Sequence, residues 1–324
     1  VPDKVTCVTV FTACASSLKE GKRLHSCIQY SGLCWDLILW NALINMYGDG
    51  GMLNEALALF EETPTRDVVS WNGVIAALAH HECGNQAIQL FQQMQLECVV
   101  PNKVTLVSTI DACASEVMIA EGKRVHARIM GCGFEGEVAE NNAILNMYGK
   151  CGRVEHARKM FDTMDKRDVI SWSSLAAAYT QHGYGSEAMH LFDQMQRQSI
   201  KPDYTTFISV LTACSHAGLV NLGWYFFVYM GRNYGISITI DHCCCMIDLL
   251  GRAGHLEEAE YLLNKIPLEV DDVTWRSLLG ACKIHSDIER GIRIANRCLS
   301  LHPVDAAPYV TLLNIHAASG NEIC

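Results

Sequence analysis

The sequence predicts an all-α solenoid of stacked helix-turn-helix repeats, and three observations predict it. The first is repetition: residues 138 to 168 (VAENNAILNMYGKCGRVEHARKMFDTMDKRD) have a relative at 37 to 67 (LILWNALINMYGDGGMLNEALALFEETPTRD), 101 residues upstream. The same offset turns GKRLH at 21–25 into GKRVH at 122–126, SWN at 70–72 into SWS at 171–173, and LFQQM at 90–94 into LFDQM at 191–195. A fixed period of this kind marks units that stack on one another. The second is an apolar face at i, i+3, i+4 in the second half of each unit: Ala56, Leu59, Phe60; Ala87, Leu90, Phe91, Met94; Ala157, Met160, Phe161, Met164; Ala188, Leu191, Phe192, Met195; Ala259, Leu262, Leu263, Ile266. The third is a glycine-containing turn, such as Lys150-Cys151-Gly152, between two helix-like halves, as expected where a left-handed residue ends a helix.

In chain order, residues 1–3 match the unit endings Val100-Pro101-Asn102 and Lys201-Pro202-Asp203 and are taken as the end of an earlier repeat. A long unit at 4–36 recurs at 103–137 and, more loosely, at 204–239. Short units occupy 37–67, 138–168 and 240–271, and units opening on VVSWN or VISWS fill 68–102 and 169–203. Two further motifs follow at 272–305 and 306–324. A lone hairpin cannot bury its apolar stripe, so neighbours must stack and leave a row of first helices along one face, where function is expected.

Half of the 324 residues are hydrophobic, ample for one continuous repeat core. The sixteen cysteines fall at repeat-linked places such as Cys14, Cys113 and Cys214 in a chain too long to need staples, which predicts reduced, mostly buried thiols in an intracellular setting. No apolar run approaches the roughly 20 residues of a membrane span, so no membrane partner is expected. No Arg- and Ser-rich presequence follows Val1, and any targeting peptide is expected to lie outside this sequence.

NALINMYG, GKCGRVEHARKMFD, SWSSLAAAY, LTACSHAGLV and DLLGRAGHLEEAE, in this phase and order, resemble the pentatricopeptide repeat family, specifically the plant subgroup that alternates standard (P), long (L) and short (S) motifs. Residues 272–324 resemble the extension (E-type) motifs that follow the last S motif in organelle RNA-editing factors. The resemblance implies a right-handed superhelical solenoid that binds single-stranded organelle RNA, one repeat to one base. It implies a mitochondrial or chloroplast address and, for C-to-U editing, a deaminase-bearing or editing-complex protein acting in trans. In the family the fifth and last residues of a P or S motif read the base edge while the second packs on its face. Carried over, the readers are Asn41 with Asp67, Asn72 with Asn102, Asn142 with Asp168, and Ser173 with Asp203; the packing residues are Ile38, Val69, Ala139 and Ile170. The family's code gives uracil for Asn with Asp, cytosine or uracil for Asn with Asn, and a guanine-type preference for Ser with Asp. Val8, Val107 and Ile208 stand at the fifth place of the L motifs and cannot hydrogen-bond a base edge. Cys244 with Asp271 has no assigned preference.

Other features yield to plainer accounts. His242-Cys243-Cys244-Cys245 resembles a metal cluster, but adjacent helical residues point in different directions and no second pair stands at zinc-site spacing, so these are packing residues and no metal or cofactor is expected. His25 and His126 lie on an apolar face and are expected to be structural, whereas Lys22-Arg23 and Lys123-Arg124 suit either phosphate or water. His80-His81-Glu82 and His255-Leu256-Glu257 satisfy the deaminase H-x-E pattern by chance, with no C-x-x-C after either, and no phosphate-binding loop is present; the chain is expected not to be an enzyme. The net charge of -10 opposes binding to a polyanion unless the positive groups gather in the groove. The competing class is a protein-interaction scaffold of the tetratricopeptide type; a scaffold has no reason to keep Asn or Ser at place five with Asp or Asn at the unit's end.

Overall fold

The computed structural model describes residues 4–14, 17–31, 36–133, 137–265, 272–301 and 307–318. Among them are nineteen α-helices and no strand. The contacts divide the chain into two units, Val1–Lys166 and Arg167–Cys324. In the first, helices pair in order: α1 (Lys4–Ala13) with α2 (Leu18–Ser31), α3 (Leu37–Asp49) with α4 (Leu53–Glu62), α5 (Val68–His80) with α6 (Gly84–Leu96), α7 (Lys103–Ser115) with α8 (Ile119–Gly131), and α9 (Val138–Lys150) with α10 (Val154–Thr163). Each first helix touches the next first helix, and α2, α4, α6 and α8 each pack on their own partner and on the first helix that follows. The second unit repeats the scheme with α11 (Val169–Gln181), α12 (Gly185–Arg197), α13 (Tyr204–Ala217), α14 (Val220–Tyr234), α15 (Ile240–Arg252), α16 (Leu256–Lys265), α17 (Asp272–Ile284), α18 (Ile288–Leu301) and α19 (Ala307–Ala318).

The predicted apolar faces supply this packing. Ala56, Leu59 and Phe60 are buried, as are Ala188, Leu191, Phe192 and Met195; Ile266 lies outside the described residues. Phe60 meets Trp71 of the following helix edge-on at 4.7 Å, and Phe192 lies against Phe207 and Phe226 at 5.6 and 5.3 Å, so each pair completes its core with the next. The glycine of the repeated GKR triplet has a packing cause. A Cβ at Gly21 or Gly122 would collide with Met46 or Met147 of the next first helix, and one at Gly223 with Leu249.

Helix starts follow the chemistry of the preceding residue. Asp36, Asp67, Asn102, Asp168 and Asp203 each accept a backbone N–H of the first turn, taking up a donor that the helix cannot satisfy itself. At the last four of these starts the third helical residue is Ser or Thr and closes a reciprocal capping box: Ser70, Thr105, Ser171, Thr206.

The turn inside each hairpin from α3 to α18 holds one residue of positive φ. In the first unit these are Gly51, Glu82, Val117 and Gly152; in the second, Gly183, Gly218, Gly254 and Ser286. Val117 occupies, at φ 55, the place that Gly218 fills one period later at φ 66. A β-branched side chain in this region is strained, by roughly 1–2 kcal/mol. Val117 is 57% exposed, so little burial offsets the strain. Val117→Gly should therefore raise the urea midpoint, corresponding to about 0.5–1 kcal/mol after the entropic cost of glycine. An unchanged or lower midpoint would show that the turn is not strained by its side chain.

Candidate nucleic-acid interface

The side chains at the fifth and last places meet because the last residue of one unit caps the next first helix, beside the preceding one. Asn41, on α3, is buried; its Nδ2 donates to Asp67 Oδ1 at 3.2 Å, and the Ser70 hydroxyl donates to its Oδ1 at 2.7 Å. The same Asp67 oxygen accepts the backbone N–H groups of Val69 and Ser70 at 3.0 and 2.9 Å. A carboxylate only accepts, so the amide nitrogen of Asn41 faces it and the amide oxygen turns to Ser70. One period element later, Asn72 Nδ2 donates to Asn102 Oδ1 at 3.0 Å and Thr105 Oγ1 donates to Asn72 Oδ1 at 2.5 Å. The Thr105 backbone N–H donates to Asn102 Oδ1 at 3.1 Å, which fixes that amide too. The two places differ in the atom left over. Asp67 keeps a second carboxylate oxygen, an acceptor, whereas Asn102 keeps an NH2 group, a donor.

Around these edges stand exposed apolar side chains. Ile38, Val69 and Ile170 are 54, 47 and 57% exposed, and Ala139 is exposed as well; each lies three residues before its Asn or Ser, on the same helix face. A hollow of 430 Å³ is lined by Val8, Phe11, Ile38, Asn41, Asn45 and Asp49, within the range of small-ligand clefts, about 300–1,000 Å³. Val8, Val107 and Ile208 are half-buried and offer no hydrogen bond.

The other two predicted pairs differ. Asn142 is buried on α9 and Asp168 caps α11; they belong to different units and are described separately. Ser173 donates back into its own helix, to the carbonyls of Val169 at 2.9 Å and Ile170 at 3.3 Å, while Asp203 accepts the Thr206 hydroxyl at 2.7 Å. Thus no hydrogen bond joins Ser173 to Asp203. Cys244 Sγ lies 2.8 Å from Thr274 Oγ1, and its sequence partner Asp271 falls outside the described residues.

The His-Cys run spreads over its helix. His242 is fully buried, with Nδ1 2.8 Å from the Thr239 hydroxyl and Nε2 3.1 Å from the Tyr204 carbonyl; burial lowers its pKa. Cys243 is in the core, and burial pushes the Cys245 thiol up to about 11. Among the described residues no three His, Cys, Asp or Glu side chains come together as a metal site. His25 and His126 each bond a tyrosine hydroxyl, Tyr47 and Tyr148, at 2.9 Å. Arg23 and Arg124 lie on second helices and pair with Glu20 and Glu121, whereas Asn41 and Asn72 lie on first helices.

A gathering of positive groups on the first helices is not found. Along the described first helices from α3 to α17, Lys103, Lys150, Arg252, Arg276 and Lys283 face a similar number of acids, among them Asp49, Asp111, Glu140 and Asp248. Lys103 is held by Glu137 and Glu140, and Arg252 by Asp248. The hydroxyls of Ser70 and Thr105 were the partners not foreseen. Their signal, Asp or Asn followed three residues later by Ser or Thr at a helix start, was present in DVVS and NKVT.

Comparison with known proteins places this geometry in context. A PPR repeat family model matches residues 66–115 and 167–216, and a PPR repeat model matches 38–68, 142–169 and 242–268, together more than half of the chain. A mitochondrial pentatricopeptide repeat-containing protein of Arabidopsis thaliana is 38% identical over 318 residues, covering 98% of this chain and 50% of the relative. The chloroplastic pentatricopeptide repeat-containing protein CRR2 of Arabidopsis thaliana is 38% identical over 323 residues, covering 97% and 49%. The chain thus spans about half the length of these relatives. The crystal structure of the pentatricopeptide repeat protein PPR10 in complex with an 18-nt psaJ RNA element superposes with a TM-score of 0.79 at 16% identity, over 98% of this chain and 48% of that one.

Burial acts to raise the Asp67 pKa, but the hydrogen bonds from the Ser70 backbone and hydroxyl, Asn41 and the Val69 backbone outweigh it and hold the carboxyl below its usual 3.8. A lowered folded-state pKa contributes stability that is complete above 3.8 and lost as the pH falls through the folded value. Asp67→Asn keeps a capping side chain but cannot titrate. Below about pH 4, wild type should therefore lose stability more steeply than Asp67→Asn, measured as urea midpoints against pH; parallel curves would mean that these bonds do not favour the carboxylate.

Proposed function

Because the chain belongs to the pentatricopeptide repeat family, we propose that it is a sequence-specific single-stranded RNA-binding protein, built on the PLS pattern with E-type extensions, that serves as a specificity factor for C-to-U editing of organelle transcripts. The observation that carries the proposal is the pairing of a buried Asn amide with a capping Asp or Asn beside an exposed apolar side chain, at Asn41–Asp67 with Ile38 and at Asn72–Asn102 with Val69. The apolar residue supplies a stacking surface and the amide pair an edge of fixed polarity. Uracil offers a donor at N3, which suits the spare oxygen of Asp67; cytosine offers an acceptor there, which suits the spare NH2 of Asn102. The address is a mitochondrion or chloroplast, the setting that the relatives' names carry. The chemistry of editing falls to a deaminase domain or partner, since neither H-x-E triplet, His80-His81-Glu82 or His255-Leu256-Glu257, is followed by a C-x-x-C.

With balanced charge on the first helices, few phosphates are neutralised. For one or two such contacts on a single strand, affinity should fall less than about tenfold between about 50 and about 200 mM salt. A loss of a hundredfold in a titration series would mean that the backbone, not the bases, is the principal ligand.

Base choice is tested at the repeat whose fifth residue is Ser. Ser173→Asn recreates the Asn with Asp pair, so the preferred base opposite this repeat should move from guanine to uracil by more than about fivefold, with other positions unchanged. Selection from a randomised single-stranded RNA pool at one salt concentration measures it. Identical selection by both proteins would refute the residue assignment and favour a protein-binding scaffold.

A further inference from the structure

We infer that a third residue takes part in base selection in two repeats: the hydroxyl at the third place of the following first helix, Ser70 for the repeat of Asn41 and Thr105 for that of Asn72, positions the base-reading amide. The inference rests on the RNA-binding role proposed above. Ser70 Oγ has one proton and two acceptors in reach, Asn41 Oδ1 at 2.7 Å and Asp67 Oδ1 at 3.0 Å. The Asp67 oxygen already receives the Val69 and Ser70 N–H groups and the Asn41 amide, so the open and nearer acceptor is Asn41. Thr105 repeats the arrangement, 2.5 Å from Asn72 Oδ1 and 3.1 Å from Asn102 Oδ1. Both hydroxyls are fully buried, so no water competes for them. Each clamps the amide at its oxygen while the capping residue clamps it at its nitrogen, and two-point fixation removes the rotation that would exchange donor for acceptor.

In the repeat that lacks an amide the same hydroxyl keeps its capping-box role and gives its proton to the capping residue. Thr206 turns its hydroxyl to Asp203 Oδ1 at 2.7 Å, because Ser173 is too short to reach it and bonds its own helix instead. At the junction after Val8 the corresponding residue is Leu39, which brings no hydroxyl where the fifth residue has nothing to orient. Ser70 and Thr105 touch no base in this reading and are positioning residues.

The test uses the full 324-residue chain and a randomised single-stranded RNA pool, with Thr105→Val, which preserves shape, Ser70→Ala, and Ser70→Thr, which restores the hydroxyl in the form found at Thr105. Thr105→Val and Ser70→Ala should each reduce discrimination about threefold to tenfold at the one base opposite its own repeat, as expected for one lost hydrogen bond, and Ser70→Thr should retain it. Asp67→Asn is the control for the underlying role and should move selection at the Asn41 repeat from uracil towards cytosine. If it does so while Thr105→Val and Ser70→Ala leave selection unchanged, the positioning role is wrong and the RNA reading stands. If the two variants weaken every position alike, in step with a lowered urea midpoint, the hydroxyls serve only as helix caps and the inference fails. If Asp67→Asn moves nothing, the base-reading assignment falls and takes the inference with it.

Discussion

A two-helix hairpin has one apolar stripe and no interior, so every unit of this chain depends on a neighbour to keep that stripe from water. Phe60 is covered by Trp71 of the following helix and Phe192 by Phe207 and Phe226, contacts that no single hairpin contains. Burying such a side chain is worth about 1.5–3 kcal/mol, so each junction adds stability that no isolated hairpin holds. Close approach sets the residue types at the junctions. Gly48 lies so near Ala77 that a Cβ would stand 2.6 Å from the alanine methyl, and the GKR glycines leave room for Met46 and Met147.

The repeat period and the apolar faces were enough to place nearly every described helix, because stacking leaves little choice about which residues face inward. The turn at Gly152 was legible from glycine; the equivalent turns at Glu82 and Val117 were not, because a strained residue leaves no mark in composition. At the candidate site, the identity of Asn41, Asp67, Asn72 and Asn102 could be taken from the family resemblance, yet the bonds among them could not. Pairing across two units depends on the register of adjacent helices, which a single sequence does not display. The Ser70 and Thr105 hydroxyls were hidden for a related reason: a capping box has a local purpose, and its second partner lies in the preceding unit. The use of the GKR glycines, the absence of a side chain, was not legible either, because the methionine that needs the room lies on the next helix.

The arrangement of charge separates two ways of holding a nucleic acid. Several arginines on the second helices pair with neighbouring acids, as Arg158 with Asp162 and Arg293 with Glu260 and Glu289, and the first helices carry acids and bases in similar number. What the first helices offer is a succession of exposed Ile and Val side chains beside polar edges of fixed direction. Such a surface suits flat, partly apolar groups with a hydrogen-bonding rim better than it suits a chain of phosphates.

At four unit ends the last residue must satisfy a helix before it can satisfy a ligand. Asp67, Asn102, Asp168 and Asp203 all hold the first turn of the helix they precede, a task open to Asp, Asn, Ser, Thr and little else. If these residues read bases as proposed, a change of target over evolutionary time is channelled: an exchange of Asp for Asn alters the polarity of one edge and leaves the architecture intact, whereas most other replacements at that place would loosen the next repeat as they changed the message. On that reading the vocabulary is small for the same reason that the fold is regular, and a lineage could rewrite it one letter at a time without passing through an unfolded ancestor.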